Sequence, residues 1–272
     1  GIIDDILVYK RESDYMLVIN ASDIDIKFKW LKSFQIKETK IENKSKEFSM
    51  IALQGPKSRK IIQNIIKDDI SKIRFYEFVQ NIECLGHNIL LSRTGYTGEL
   101  GFEIYCSHDA VIDIWDHILD NFKDHGVKPA GLGCRDTLRL EMGYHLYGND
   151  LNRNIDPFMA GLGWITNLKK GAFIGREKIS SKKVSQRSCL VYFIMVEKSI
   201  PRPGYEIIVN EKIVGRVTSG TISPSLNVGI GMGYLDKEFS QKGSSIFISI
   251  RKKMRSAQIV ESPFYKKGTL II

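Results

Sequence analysis

No run of about eighteen apolar residues occurs in the 272-residue chain, so nothing in it reads as a membrane-spanning helix. The longest apolar stretch, 189–196, has the length of a buried strand. Cysteine is scarce: Cys84, Cys106, Cys134 and Cys189 stand apart and form no C-x-x-C pair. That excludes a zinc ribbon or a dithiol redox motif and suits a reducing compartment, with the four thiols expected in the core. Histidine is scarce too, with five in all. His108, His117 and His125 lie near one another but show no H-E-x-x-H or comparable ligand spacing, so no metal is expected. There is no G-x-S-x-G elbow, no Gly-Lys-Ser/Thr phosphate loop and no Cys–His pairing, which points away from a covalent enzyme intermediate. Residues 1–20 lack the pattern of a signal or transit segment. A start on Gly1, directly in strand-like sequence, reads as a truncated beginning.

What is present in excess is positive charge. The chain carries 40 Lys and Arg against 31 Asp and Glu, a formal net charge of +9. The lysines are scattered, as at Lys57, Lys60, Lys67 and Lys72. Nucleic-acid binding needs clustered Lys and Arg with interleaved aromatics, so no nucleic-acid partner is expected, although such a surface still attracts acidic proteins.

Apolar patterning predicts a hairpin over 1–20 with its turn at 10–14, a short helix over 27–34 and a strand at 50–53. A helix follows Gly55-Pro56, with Ile61, Ile62, Ile65 and Ile66 at helical spacing. Strands are expected at 75–82 and 88–92. Ser107 should cap a helix carrying Val111, Ile114, Trp115, Ile118, Leu119 and Phe122. Another helix should cover 135–144. Beyond the Lys- and Ser-rich segment 169–187, short strands at 205–209, 212–217, 231–234 and 245–250 suggest a small β-barrel, with a tight turn at Asn210-Glu211. The fold class expected is α+β, of the split βαβ kind, with a C-terminal β-barrel.

Three segments are candidates for chemistry. In 1–9, read as a strand, Asp4 and Asp5 fall on opposite faces, and either carboxylate stands among apolar neighbours, where a charge is costly unless paired or used. Gly95, Gly98 and Gly101 punctuate 94–103 and imply tight turns or close backbone approach beside Glu103, a carboxylate suited to adjacent N–H donors of a ligand. Arg135 and Arg139 share one helix face, with Asp136 near the helix start; local ion pairing on a surface helix is the simpler reading. The run Gly229-Ile230-Gly231-Met232-Gly233 lacks the last glycine of a dinucleotide fingerprint and reads as a closely packed strand.

In order along the chain stand GIIDDILVY, VINAS, LQGPKSRKII, SRTGYTGELGFEIY, PAGLGCRDTLRLEMGYHLYGNDL, AGLGWITNLKK, FIGRE, GRVTSGTISPSL, IGMGYLD and SPFYKKG. Each is weak alone, but the ordered set closely resembles the glycine cleavage T-protein family over nearly the whole chain. The resemblance implies ferredoxin-like α+β domains around a central folate cavity, and a family N-terminal segment ahead of Gly1. The implied division is 1–46 as the remnant of an N-terminal folate-binding domain, 47–168 as an α+β domain, 169–187 as a connection and 188–272 as the barrel.

The implied reaction is transfer of the aminomethyl carbon from the lipoyl arm of H-protein to tetrahydrofolate, with release of ammonia. By the same resemblance Asp5 is the catalytic acid. Glu103 grips the pterin edge with Tyr96 beside it, Arg135 completes the polar wall and Asn20 lines the cavity. Lipoylated H-protein and tetrahydrofolate are the implied partners, and the implied compartment is the cytoplasm or the mitochondrial matrix. Two departures stand out: Met159 occupies a position where the family usually has Glu, and the tail closes on Leu270-Ile271-Ile272 instead of polar or aromatic residues. The rivals are a folate-binding iron–sulfur repair relative, a catabolic dehydrogenase half and an inactive relic. The first lacks its marker cysteine here, since 169–177 reads KKGAFIGRE, and the second needs a flavin domain.

Overall fold

The structure, a computed structural model, describes residues 1–184 and 187–270. In chain order its elements begin with β1 (Leu7–Lys10), β2 (Tyr15–Val18), α1 (Ile24–Ser33), β3 (Ser49–Gln54), α2 (Ser58–Ile65), β4 (Phe78–Cys84), β5 (His87–Ser92) and β6 (Gly101–Cys106). They continue with α3 (His108–Asn121), α4 (Leu132–Glu141), α5 (Arg176–Val184), β7 (Ser188–Met195), β8 (Glu206–Val209), β9 (Lys212–Ser223), β10 (Val228–Asp236), β11 (Ser245–Ile250) and β12 (Lys253–Val260). The chain divides into two compact units, Gly1–Lys27 with Leu140–Tyr265, and Phe28–Arg139 with Lys266–Ile272.

In the first unit β1 and β2 form the expected hairpin, with Leu7 opposite Val18 and Lys10 opposite Tyr15. The strand starts later than the apolar pattern suggests. Ile2 donates its N–H to the carbonyls of Asn152 (3.1 Å) and Ile155 (2.8 Å), so the opening residues are held by a loop and have no ladder partner. Asp4 and Asp5 therefore do not alternate across a strand.

The rest of that unit is dominated by a closed six-stranded barrel in the order β10-β7-β12-β11-β8-β9. Its turns are the tight ones the strand twist favours: Asn210 (φ 49°) and Glu211 (φ 61°) both take left-handed backbone between β8 and β9. Alternate residues of the strands fill the lumen, among them Phe193, Ile207, Ile246 and Ile248, which are fully buried. The glycines of β10 are there because strands and loops close on them. A Cβ on Gly231 would lie 2.4 Å from Cζ of the buried Phe193 ring. Gly231→Ala is expected to cost about 1–3 kcal/mol through overpacking, seen as a lower midpoint in thermal denaturation with the far-UV spectrum preserved.

The second unit holds an antiparallel four-stranded sheet, β3-β6-β5-β4. Ile61, Ile62 and Ile65 of α2 and Ile114 and Ile118 of α3 are buried in one cluster with Phe102 and Ile104 of β6. Ser107 caps α3 as the sequence suggests, its hydroxyl accepting from the Ala110 N–H. Cys84 and Cys106 are buried, and burial pushes the Cys84 thiol up to about 11, the mark of an inert core thiol. Cys134 departs from expectation: it lies in the first turn of α4 and is exposed.

Candidate active site

In the first unit, the segment ahead of β1, residues 1–6, and the end of β2 bring Asp5 and Asn20 together. Asn20 follows β2, and its Nδ2 donates to Asp5 Oδ1 at 2.8 Å, to Asp4 Oδ1 at 2.9 Å and to the Asp5 carbonyl at 3.1 Å. The Asn20 backbone N–H also donates to Asp4 Oδ2 at 3.1 Å. Asp4 is the inward carboxylate. It pairs at 3.0 Å with Lys27 Nζ, and both side chains are buried, 7% and 4% exposed. Lys27 also donates to the Asn20 carbonyl (3.2 Å), and its Nζ lies 4.8 Å from the centre of the Tyr147 ring. Asp5 is the more exposed of the two. It remains open to solvent on one side, yet the protein around it raises its carboxyl above the usual range. Loss of water is the main cause. The Asn20 hydrogen bond opposes it, Asp4 adds to it, and His145 opposes it weakly. The result is a partly desolvated carboxyl group with one oxygen fixed by Asn20.

In the second unit, Gly98 takes left-handed backbone (φ 73°), while Gly95 and Gly101 are explained by Gln54, the last residue of β3. Its amide Nε2 donates to the carbonyls of Thr94 and Phe102, each at 3.2 Å. A Cβ on Gly95 or Gly101 would fall 1.9 or 2.0 Å from Gln54 Oε1, so only glycine lets the side chain staple both ends of the loop. Glu103 lies within β6. The Thr94 and Tyr105 hydroxyls both donate to its Oε2, the latter at 3.0 Å, which holds the carboxylate in place through one oxygen. Tyr96, in the loop, has the Arg135 guanidinium stacked 4.4 Å from its ring centre. Arg135 and Arg139 part company. Arg139 is buried against Asp136 at 2.6 Å and serves the fold, while Arg135 is exposed apart from Tyr96.

The tail also meets this loop. Thr269 donates its N–H to Glu99 at 3.0 Å and accepts from the Leu100 N–H at 3.0 Å, and the Leu270 carbonyl accepts from Arg93. Ile271 and Ile272, noted in the sequence as apolar, lie outside the described residues. Met159 sits in a turn with its N–H bonded to Asp156 Oδ1 at 3.0 Å.

Thus Asp5 and Asn20 are joined in one unit, and Tyr96 and Arg135 in the other, where Glu103 stands on the neighbouring strand. Two features escape a sequence reading. The first is Lys27, whose helix position looks like that of any surface lysine. The second is a pair of buried carboxylates that bind the barrel. Asp150 accepts from Ser219 (2.8 Å), and Glu141 accepts from the Ser225 N–H (3.1 Å). A groove of about 430 Å³ on the barrel is lined by Lys198, Arg202, Arg251, Lys253 and Arg255, with Arg255 paired to Glu197 at 2.6 Å. None of the sequence-predicted residues lines it. Among the described residues, no group of three or more His, Cys, Asp and Glu is placed to hold a metal ion, and no helix is long and apolar enough to cross a membrane.

Comparison with known proteins brings two family models to this chain. One, described as the GCVT N-terminal domain, matches residues 1–170. The other, the glycine cleavage T-protein C-terminal barrel domain, matches 189–266. An aminomethyltransferase of Caldanaerobacter subterraneus is 44% identical over 271 residues, covering 98% of this chain and 72% of that protein. One from Bacillus subtilis is 42% identical over 270 residues, covering 98% and 75%. The crystal structure of the glycine cleavage system aminomethyltransferase T from Bartonella henselae superposes with a TM-score of 0.88 at 27% identity, over 99% of this chain and 74% of that one.

Proposed function

Since the chain belongs to the glycine cleavage T-protein family and is an aminomethyltransferase, we propose that Asp5 is the carboxylate on which its transfer depends. The carbon moved is the aminomethyl carbon of a lipoyl-bound carrier, the acceptor is tetrahydrofolate, and ammonia leaves. The observation that carries the assignment is the Asn20–Asp5 bond of 2.8 Å. It fixes one carboxylate oxygen and leaves the other for a ligand amine or for positive charge developing on the migrating carbon. Partial removal of water strengthens that interaction.

Glu103, Tyr96 and Arg135 are proposed as the folate contacts. Glu103 suits the pterin edge because Thr94 and Tyr105 occupy one oxygen only, leaving the other to accept from adjacent N–H groups. Tyr96 offers a ring face already flattened against Arg135, whose remaining donors suit an anionic part of the ligand. A folate-binding relative without transferase activity is the weaker reading, because the relatives above are aminomethyltransferases. Their bacterial origin favours a cytoplasmic setting.

The carrier must deliver its lipoyl arm, and the family's carriers are acidic. The basic groove on the barrel is the proposed surface that attracts it, through Lys198, Arg202, Arg251 and Lys253. Complementary charge raises association rates and is screened by salt. Apparent KM for H-protein is therefore expected to rise with ionic strength while kcat changes little. Single charge reversals in the groove should each cost about 0.2–1 kcal/mol in kcat/KM. A steady-state salt titration checks this, and a carrier KM that stays flat from low to high salt would refute electrostatic guidance.

A further inference from the structure

Lys27 touches neither Asp5 nor any atom proposed to react, yet two bonds link it to the group that does. Its Nζ pairs with Asp4 Oδ2 at 3.0 Å and donates to the Asn20 carbonyl at 3.2 Å. Asp4 and Asp5 in turn share one donor, Asn20 Nδ2, at 2.9 and 2.8 Å. Two carboxylates on a single amide nitrogen repel each other unless one is neutralised. A buried ion pair adds little stability over apolar residues of the same volume, so this pair is better explained by what it does beside Asp5.

We propose that Lys27 is a positioning residue for the transfer reaction. It offsets part of the charge of Asp4 and anchors Asn20, so that the Asn20 amide stays on Asp5 and Asp5 keeps its charge to lower pH than it otherwise would. This rests on the assignment of Asp5 as the catalytic carboxylate. The charged and titratable groups that act on Asp5 are Asp4 and His145, with Lys27 acting through Asp4.

The sign follows from the arrangement. Without Lys27, the charge of Asp4 stands unopposed and makes a second negative charge on Asp5 harder to hold. Asp5 should then take up its proton at higher pH, and the acid limb of kcat should move the same way, by about one pH unit. Removing Asp4 as well should cancel the shift.

The test is a ¹³C-carboxyl NMR titration of the Asp5 side chain together with the pH profile of kcat. It compares the wild type, Lys27→Met and the double variant Lys27→Met/Asp4→Asn, with Asp5→Asn used to identify the resonance. Lys27→Gln, which keeps a donor for the Asn20 carbonyl, replaces Lys27→Met if the latter does not fold. The expected result is an upward shift of Asp5 and of the acid limb in the single variant, and a return to or below the wild-type position in the double. An Asp5 titration unmoved in the single variant, or one still raised in the double, overturns the proposal. If Asp5→Asn turns over normally, the catalytic assignment of Asp5 fails, while the NMR titration still decides whether Lys27 controls its charge.

Discussion

Asp5→Asn is expected to lower aminomethyl transfer about 10²–10³-fold in kcat, the loss typical of removing one preorganised electrostatic contact. The substitution keeps the size and one acceptor of the side chain and deletes its charge. Asn20 donates to Asp5 at 2.8 Å, and an amide oxygen accepts that bond as well, so the local geometry survives. Removing a carboxylate whose ionised form is disfavoured by burial should also leave stability unchanged or slightly improved near neutral pH. The measurement is methylenetetrahydrofolate formation with lipoyl H-protein, alongside thermal denaturation. Wild-type kcat in this variant would remove Asp5 from the mechanism. A loss matched by unfolding would make the residue structural. The pH dependence has a definite sign. Because its proton is held above the ordinary carboxylate value, Asp5 should lose its charge at a higher pH than a free aspartate as the solution is acidified. Activity should fall with it.

Glu103→Gln should act on folate affinity more than on the chemical step. A hydrogen bond to a charged group contributes about 1.5–3 kcal/mol, which corresponds to a rise in folate Kd of roughly 10–150-fold. Gln retains an oxygen to which the Thr94 and Tyr105 hydroxyls can donate. The sheet register of β6 with β3 and β5 should be untouched, since Glu103 pairs through its backbone opposite Ala52 and Ser92. Equilibrium binding of tetrahydrofolate, followed by fluorescence or calorimetry, separates this from a catalytic effect. An unchanged Kd would place Glu103 outside the folate contacts and leave its carboxylate a partner of Thr94 and Tyr105 alone. A fall in kcat at saturating folate, with Kd unaltered, would assign it instead to the reacting end of the ligand.

The sequence by itself determined the family, the α+β class and the C-terminal barrel, and the physical reason is local. Isoleucines at helical spacing in α2, a serine cap at Ser107 and a tight turn at Asn210-Glu211 are each written in a few neighbouring residues, and each recurs in the structure. The glycines of β10 and of the loop before β6 were legible as places of close approach, but their partners were not. That Phe193 and Gln54 fill those spaces depends on strand pairing between residues far apart in the chain.

Tertiary structure alone decided the environment of the acidic groups. The alternation expected to set Asp4 and Asp5 on opposite faces does not operate, because Ile2 is bonded to the 152–155 loop and the strand begins only at Leu7. Which aspartate is buried, and which stands open, follows from Lys27 arriving on α1 to pair with Asp4, and no local pattern distinguishes that lysine from its solvated neighbours. The same holds for Arg135 and Arg139. Four residues apart on one helix, they looked equivalent, yet packing buries Arg139, which pairs with the more open Asp136, and leaves Arg135 to lie on Tyr96. Burial, and with it the cost and use of a charge, is a property of what the rest of the chain brings to a residue.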